Sequence, residues 1–132
     1  GFPLIWKSQL QSSISCSTLE AEYTALSYAL KALLPIKRLL LEAVDILDIP
    51  PPIRTSVRAR VFEDNQGAYF LATNHRITNR TRYFLNKWHW FWDHADEFEL
   101  IKIDSRNQRA DYFTKVLVRE PFEHNRFLVQ GW

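Results

Sequence analysis

Glu22, Asp64 and Asp111 are three carboxylates that a folded chain could gather at one place. Grouped carboxylates repel one another unless something neutralises them, and hard divalent cations such as Mg²⁺ do so through oxygen ligands. Two such ions roughly 3.5–4 Å apart can activate a water and stabilise the departing oxygen of a phosphodiester. The candidate chemistry is therefore metal-assisted phosphodiester hydrolysis. Taken singly, each acid reads more readily as a helix cap or a surface charge, and spacing alone does not make a site of them.

The elements that must position these acids can be read from periodicity. Ser17 followed by Glu20 has the form of a capping box. From there Leu19, Tyr23, Leu26, Leu30 and Leu33 recur at alternating spacings of four and three, which marks one face of a helix, and Leu40, Val44 and Leu47 continue it. Pro35 is expected to kink or split this helix, and Pro50, Pro51 and Pro52 to end it. Glu20 and Glu22 are two residues apart and so point about 200° from one another. Glu22 shares a side with Leu19 and Leu26, which places it at the rim of the buried face and leaves Glu20 to the cap.

Val57, Ala59 and Val61 alternate with Arg58, Arg60 and Phe62, predicting a strand over 57–62. Asp64 lies just past it, and Asp64 or Asn65 caps a short helix carrying Ala68, Leu71 and Ala72. A polar link over 74–80 leads to a helix over 81–97, with Phe84, Trp88, Phe91 and Trp92 on one face. Residues 99–103 form a further strand, residues 105–115 open a helix that holds Asp111 near its start, and 120–129 close the chain as a helix. Residues 2–7 are a short apolar run with the look of a strand. Strands separated by helices predict an α/β domain, a mixed sheet flanked by helices. Sites in such folds gather beyond the carboxyl ends of strands, where Asp64 and Asp111 fall.

Composition bounds the rest. With 132 residues, 46% apolar and 24% charged, the chain is one globular domain over 1–132 and not a disordered tract. No stretch approaches the roughly 18 apolar residues of a membrane span, and the start lacks the basic n-region of a signal peptide. The single Cys16 excludes an internal disulfide, reads as a buried thiol, and fits an intracellular setting. There is no methionine, so the chain is expected to be a piece of a longer product. The formal charge of +2 is unevenly spread. Arg54, Arg58 and Arg60 form one basic group; Arg76, Arg80, Arg82 and Lys87 form another with no acid between them. Clustered arginine beside aromatics is the pattern of phosphate-backbone binding, or equally a solvated face.

Four stretches, STLEAEYTALS (17–27), EDNQGAYFLA (63–72), NRTRYF (79–84) and QRADYFTK (108–115), resemble in order and spacing the landmarks of the ribonuclease H domain of copia-type retrotransposon polyproteins. PLIWKSQLQ (3–11) resembles the strand and turn before the glutamate helix there. The resemblance spans essentially the whole chain. It implies a ribonuclease H-like fold, two Mg²⁺ ions, cleavage of the RNA strand of an RNA–DNA hybrid, and an adjacent reverse transcriptase domain in the same polyprotein. It places Glu22, Asp64 and Asp111 on three of the family's four metal-binding acids. The fourth, an aspartate on an earlier strand, would precede Gly1, so the domain is expected to be N-terminally truncated and inefficient alone. Glu63 departs from the small or apolar residue common before the DN element.

Other readings are weaker. The WHWFW run over 88–92 has helical spacing and reads as core. His89 and Asp93 lack a third ligand, and His75 and His124 lack evident partners. Asp64 and Glu99 have close to an integrase-like spacing, but Glu99 opens a strand where that chemistry needs a helix. The alternatives to a nuclease are a noncatalytic nucleic-acid-binding remnant and a structural fragment of a decayed element.

Overall fold

The computed structural model describes residues 3–11, 15, 17–74 and 92–132. Helix α1 spans Thr18–Ile46, and Ser17 caps it as expected, its hydroxyl accepting from the Glu20 amide at 3.1 Å. Pro35 does not split it: the helix runs on as one element of 29 residues. The proline removes one backbone donor, while Leu30 and Leu34 before it and Val44 beyond it are buried and hold both halves against the rest of the fold. Pro35→Ala restores the donor at an exposed position, and its urea midpoint should rise by the equivalent of roughly 1–3 kcal/mol.

After α1, Pro50 precedes a short helix α2, Pro51–Arg54, in which two prolines occupy first-turn positions where no N–H is needed. Strand β1 is Arg60–Glu63, shorter and later than the expected 57–62. Its alternation is the predicted one carried a residue further, with Ala59, Val61 and Glu63 inward and Arg60 and Phe62 outward. Helix α3, Gln66–Asn74, follows, and Asn65 rather than Asp64 caps it, accepting from the Ala68 amide at 3.0 Å. Gly67 lets α3 close on α1, since a Cβ there would meet Leu19 Cδ1 at 3.0 Å.

Strand β2, Glu99–Lys102, pairs parallel with β1, Arg60 opposite Glu99 and Glu63 opposite Lys102. Among the described residues the sheet is this parallel pair alone, not the mixed sheet expected. Residues 3–11 are irregular, and Leu4, Ile5 and Trp6 are exposed. Side chains anchor this segment instead: Trp6 stacks on Phe113 at 5.9 Å, and the Gln11 amide donates to the Ala21 carbonyl at 2.8 Å.

Residues 105–115 form two short pieces instead of one helix. A 3₁₀ turn, Ser105–Asn107, is capped by Asp104, and helix α4 is Asp111–Thr114. Helix α5, Arg119–Gln130, ends at Gly131, whose φ of 84° is the left-handed conformation glycine tolerates. The core gathers Tyr23, Leu26 and Leu30 of α1, Val61 of β1, and Leu71 and Ala72 of α3, with Trp92, Phe98 and Leu100 against it. Among the described residues no helix is long and apolar enough to cross a membrane.

Most of the 81–97 helix and Cys16 lie outside the described residues, as do His75, His89, Arg76, Arg80, Arg82 and Lys87. Two members of the other basic group are paired within the chain, Arg54 with Asp45 and Arg60 with Glu99 at 3.9 Å.

Candidate active site

Each acid arrives on a different element, for a local reason. The Ser17 cap sets the phase of α1, which turns Glu22 to the rim of the apolar face, where it is partly buried. Asp64 follows β1 directly and is released from capping by Asn65. Asp111 opens α4 and is buried, with 9% of its surface exposed.

Asp64 and Asp111 lie near enough to Glu22 for their charges to act on it. Burial pushes the Glu22 carboxyl above its ordinary range, and the negative charges of Asp64 and Asp111 push the same way against the pull of Lys115. For Asp64 burial also pushes upward, but hydrogen bonds from the Ser105 and Gln108 side chains, with the Lys115 charge, outweigh it and hold the carboxyl below its usual value. Gln108 Nε2 lies 3.4 Å from Asp64 Oδ1 and donates to the Phe62 carbonyl at 3.3 Å, so it ties the end of β1 to the segment before α4. Lys102 Nζ donates to the Asp64 carbonyl.

Two participants were not anticipated. Lys115, one turn after Asp111, sets its ammonium 2.8 Å from Oδ1 and 2.9 Å from Oδ2 of that carboxylate. Glu63 is 5% exposed, its Oε1 accepting from the Asn65 amide at 2.7 Å. Burial is the main reason its pKa is pushed up to about 7, and the Glu22 and Asp64 charges add to it.

The sign of that shift fixes a pH dependence. The folded chain holds the Glu63 proton more tightly than the unfolded chain, so no penalty exists below about 4.5. Stability then falls as pH rises through 7 and levels off above it. Glu63→Gln should flatten this slope in EDTA buffer. At pH 8 the variant is expected to be more stable than the parent chain, by about 3 kcal/mol at most; equal urea midpoints at pH 5 and pH 8 in the parent would contradict it.

The divalent ions that the resemblance implies require donors closed around a common point. Among the described residues no group of three or more acidic, histidine or cysteine side chains is so placed. Asp111 turns both oxygens to Lys115. The arrangement therefore does not fit a metal cage, although the acids are near enough to feel one another's charge. His124 bonds Asn107 at 3.1 Å, and Glu99 sits on β2 opposite Arg60, which rules out its pairing with Asp64 on a helix.

No family model and no solved structure matches the chain. It is similar to the Retrovirus-related Pol polyprotein from transposon TNT 1-94 of Nicotiana tabacum, 31% identical over 131 residues. The match covers 98% of this chain and 9% of the relative's length. That homology supports an origin in a retrotransposon polyprotein, of which this chain corresponds to a small part.

Proposed function

We propose that the chain is the ribonuclease H region of a copia-type retroelement polyprotein, which hydrolyses the RNA strand of RNA–DNA hybrids when joined to its upstream sequence and supplied with Mg²⁺. The observation that carries this reading is the convergence of Glu22, Asp64 and Asp111 from three separate elements, close enough for the charges of Asp64 and Asp111 to act on Glu22. The order of the four sequence landmarks and the Pol homology support it. Asp64 is kept ionised by Ser105, Gln108 and Lys115, as a group facing developing or bound positive charge must be. A cleft of about 200 Å³ lined by Phe62, Ile103, Gln108 and Arg109 adjoins Asp64 and offers an apolar wall with two donors for a sugar–phosphate strand. Arg76, Arg80, Arg82 and Lys87 are assigned to hybrid phosphates, so binding should weaken steeply with salt. The adjacent reverse transcriptase domain is the proposed neighbour in the polyprotein.

A second reading, a noncatalytic hybrid-binding remnant, is favoured by one observation: Asp111 is held by Lys115 and the acids do not close into a cage. Cleavage of a labelled hybrid with Mg²⁺, by this chain and by a form extended upstream through the next acidic strand, separates the two. Cleavage by the extended form alone supports the nuclease. Salt-sensitive binding without cleavage by either form supports the remnant. Efficient cleavage by the 132-residue chain would overturn the four-acid requirement.

A further inference from the structure

The outer face of α1 is symmetric about Ala43. Three residues to either side stand Leu40 and Ile46, and four to either side stand Leu39 and Leu47. Helical geometry gathers these four within a sector of about 120° centred on Ala43, turned away from the buried Leu30, Leu34 and Val44. Leu39 is 64% exposed, Leu40 50%, Ile46 75% and Leu47 69%, so each of these apolar residues lies at least half in solvent. The small alanine between them leaves room for a second helix to approach closely. Charge changes sign along the same stretch: Lys37 and Arg38 precede the face, and Asp45 and Asp48 close it. Arg38 and Asp45 are paired within the chain to Glu97 and Arg54. That leaves Lys37, which gives a hydrogen bond to the Glu97 carbonyl, and Asp48 to steer a partner.

We infer that this face docks a second copy of the same chain, the two α1 helices crossing antiparallel at Ala43. A two-fold contact needs a self-complementary patch, in which residue i meets j and j meets i. Here Leu39 meets the partner's Leu47 and Leu40 the partner's Ile46, while Lys37 approaches the partner's Asp48. A parallel pair would instead set like charges side by side and align the helix dipoles. The four apolar residues offer on the order of 500 Å² per chain, and a pair buries roughly 1,000 Å², the lower bound of a specific interface. The dimer is therefore weak, with a Kd on the order of 10–100 µM, and the chain is a monomer well below that concentration. One like-charge contact opposes it, because Glu42 lies beside the axis and faces its own copy. None of this depends on how the three acids are read.

Sedimentation velocity of the 132-residue chain, from about 5 µM to about 1 mM, should show a monomer passing into a dimer. Ile46→Lys should raise the Kd at least about tenfold without moving the urea midpoint, and Leu40→Glu should do the same. The two changes together set opposite charges face to face across the axis and should recover much of the lost affinity. Glu42→Gln should tighten the pair severalfold. In a Cys16→Ser background, Ala43→Cys places a thiol on the axis and should yield a disulfide-linked dimer with a Cu(II) oxidant. Leu39→Cys should not, because antiparallel pairing sets the two copies of that position roughly 12 Å apart along the helices, beyond disulfide reach. A chain monomeric to about 1 mM, a dimer indifferent to Ile46→Lys, or equal cross-linking from the two cysteine variants overturns the inference. Binding of the upstream polyprotein segment in trans that Ile46→Lys abolishes, with the chain alone remaining monomeric, overturns it in favour of that occupant.

Discussion

In the upstream-extended form, Asp64→Asn should slow cleavage of the RNA strand by at least about a hundredfold, the scale on which removing one preorganised electrostatic group shows. Asparagine keeps the shape of the side chain and an oxygen that can still accept from Gln108. What it loses is the negative charge that Ser105, Gln108 and Lys115 together hold in place. The fold should be little affected, because the cap of α3 belongs to Asn65 and the strand contacts of residue 64 run through its backbone carbonyl. The informative result is a lost rate with a thermal midpoint within a few degrees of the parent. A rate within threefold of the parent would remove Asp64 from the machinery, and the nuclease reading with it.

The second large effect concerns the scaffold. Leu30→Ala is expected to cost about 2–5 kcal/mol, a substantial part of the 5–15 kcal/mol that holds a typical domain folded. Leu30 is completely buried and belongs to the cluster in which α1, β1 and α3 meet. Truncation leaves a cavity bordered by three elements that cannot all collapse into it. Leu39→Ala is the matched control on the same helix, where the side chain is 64% exposed and the change should stay within about 0.5 kcal/mol. Urea midpoints for the two variants decide the matter: equal shifts would mean that the core is not centred on this face of α1.

The two results probe different things, a site acid beyond β1 and a core residue of α1, and α1 itself carries core and site on adjoining positions. That arrangement was legible in the sequence for a simple reason. Over α1 the apolar period is long and regular, so its phase places Tyr23 and Leu26 inward and Glu22 at the rim with little ambiguity. Strand β1 was legible in its alternation but not in its end. Carrying the two-residue period one step past Val61 would have put Glu63 on the buried face, but a charged residue reads locally as the end of a strand. Lys115 was signalled by its four-residue spacing from Asp111, a helical pair distance. What hid it was the expectation that Asp111 faces a metal. The break of residues 105–115 into a 3₁₀ turn and a four-residue helix was not legible, since Asp104 caps one piece and nothing in the pattern marks where the next begins. Irregular residues 3–11 were missed because an apolar run becomes a strand only beside a partner, and periodicity cannot name one.

The parallel register of β1 and β2 sets an order of events in folding. Matching Arg60 with Glu99 closes a loop of about 39 residues before any ladder bond rewards it, and such non-local pairing is slow compared with winding a helix. Helix α1, whose bonds are all local, is free to form first and present Glu22 to solvent. The pairing of β2 with β1 must wait for that loop to close, and Asp111 and Lys115 lie beyond β2 in the chain. A polypeptide halted during synthesis before residue 99 would therefore hold Glu22 on a formed helix and Asp64 after an unpaired strand, without Asp111 or Lys115. The three-acid surface is, in time as well as in space, a property of a chain carried through Asp111.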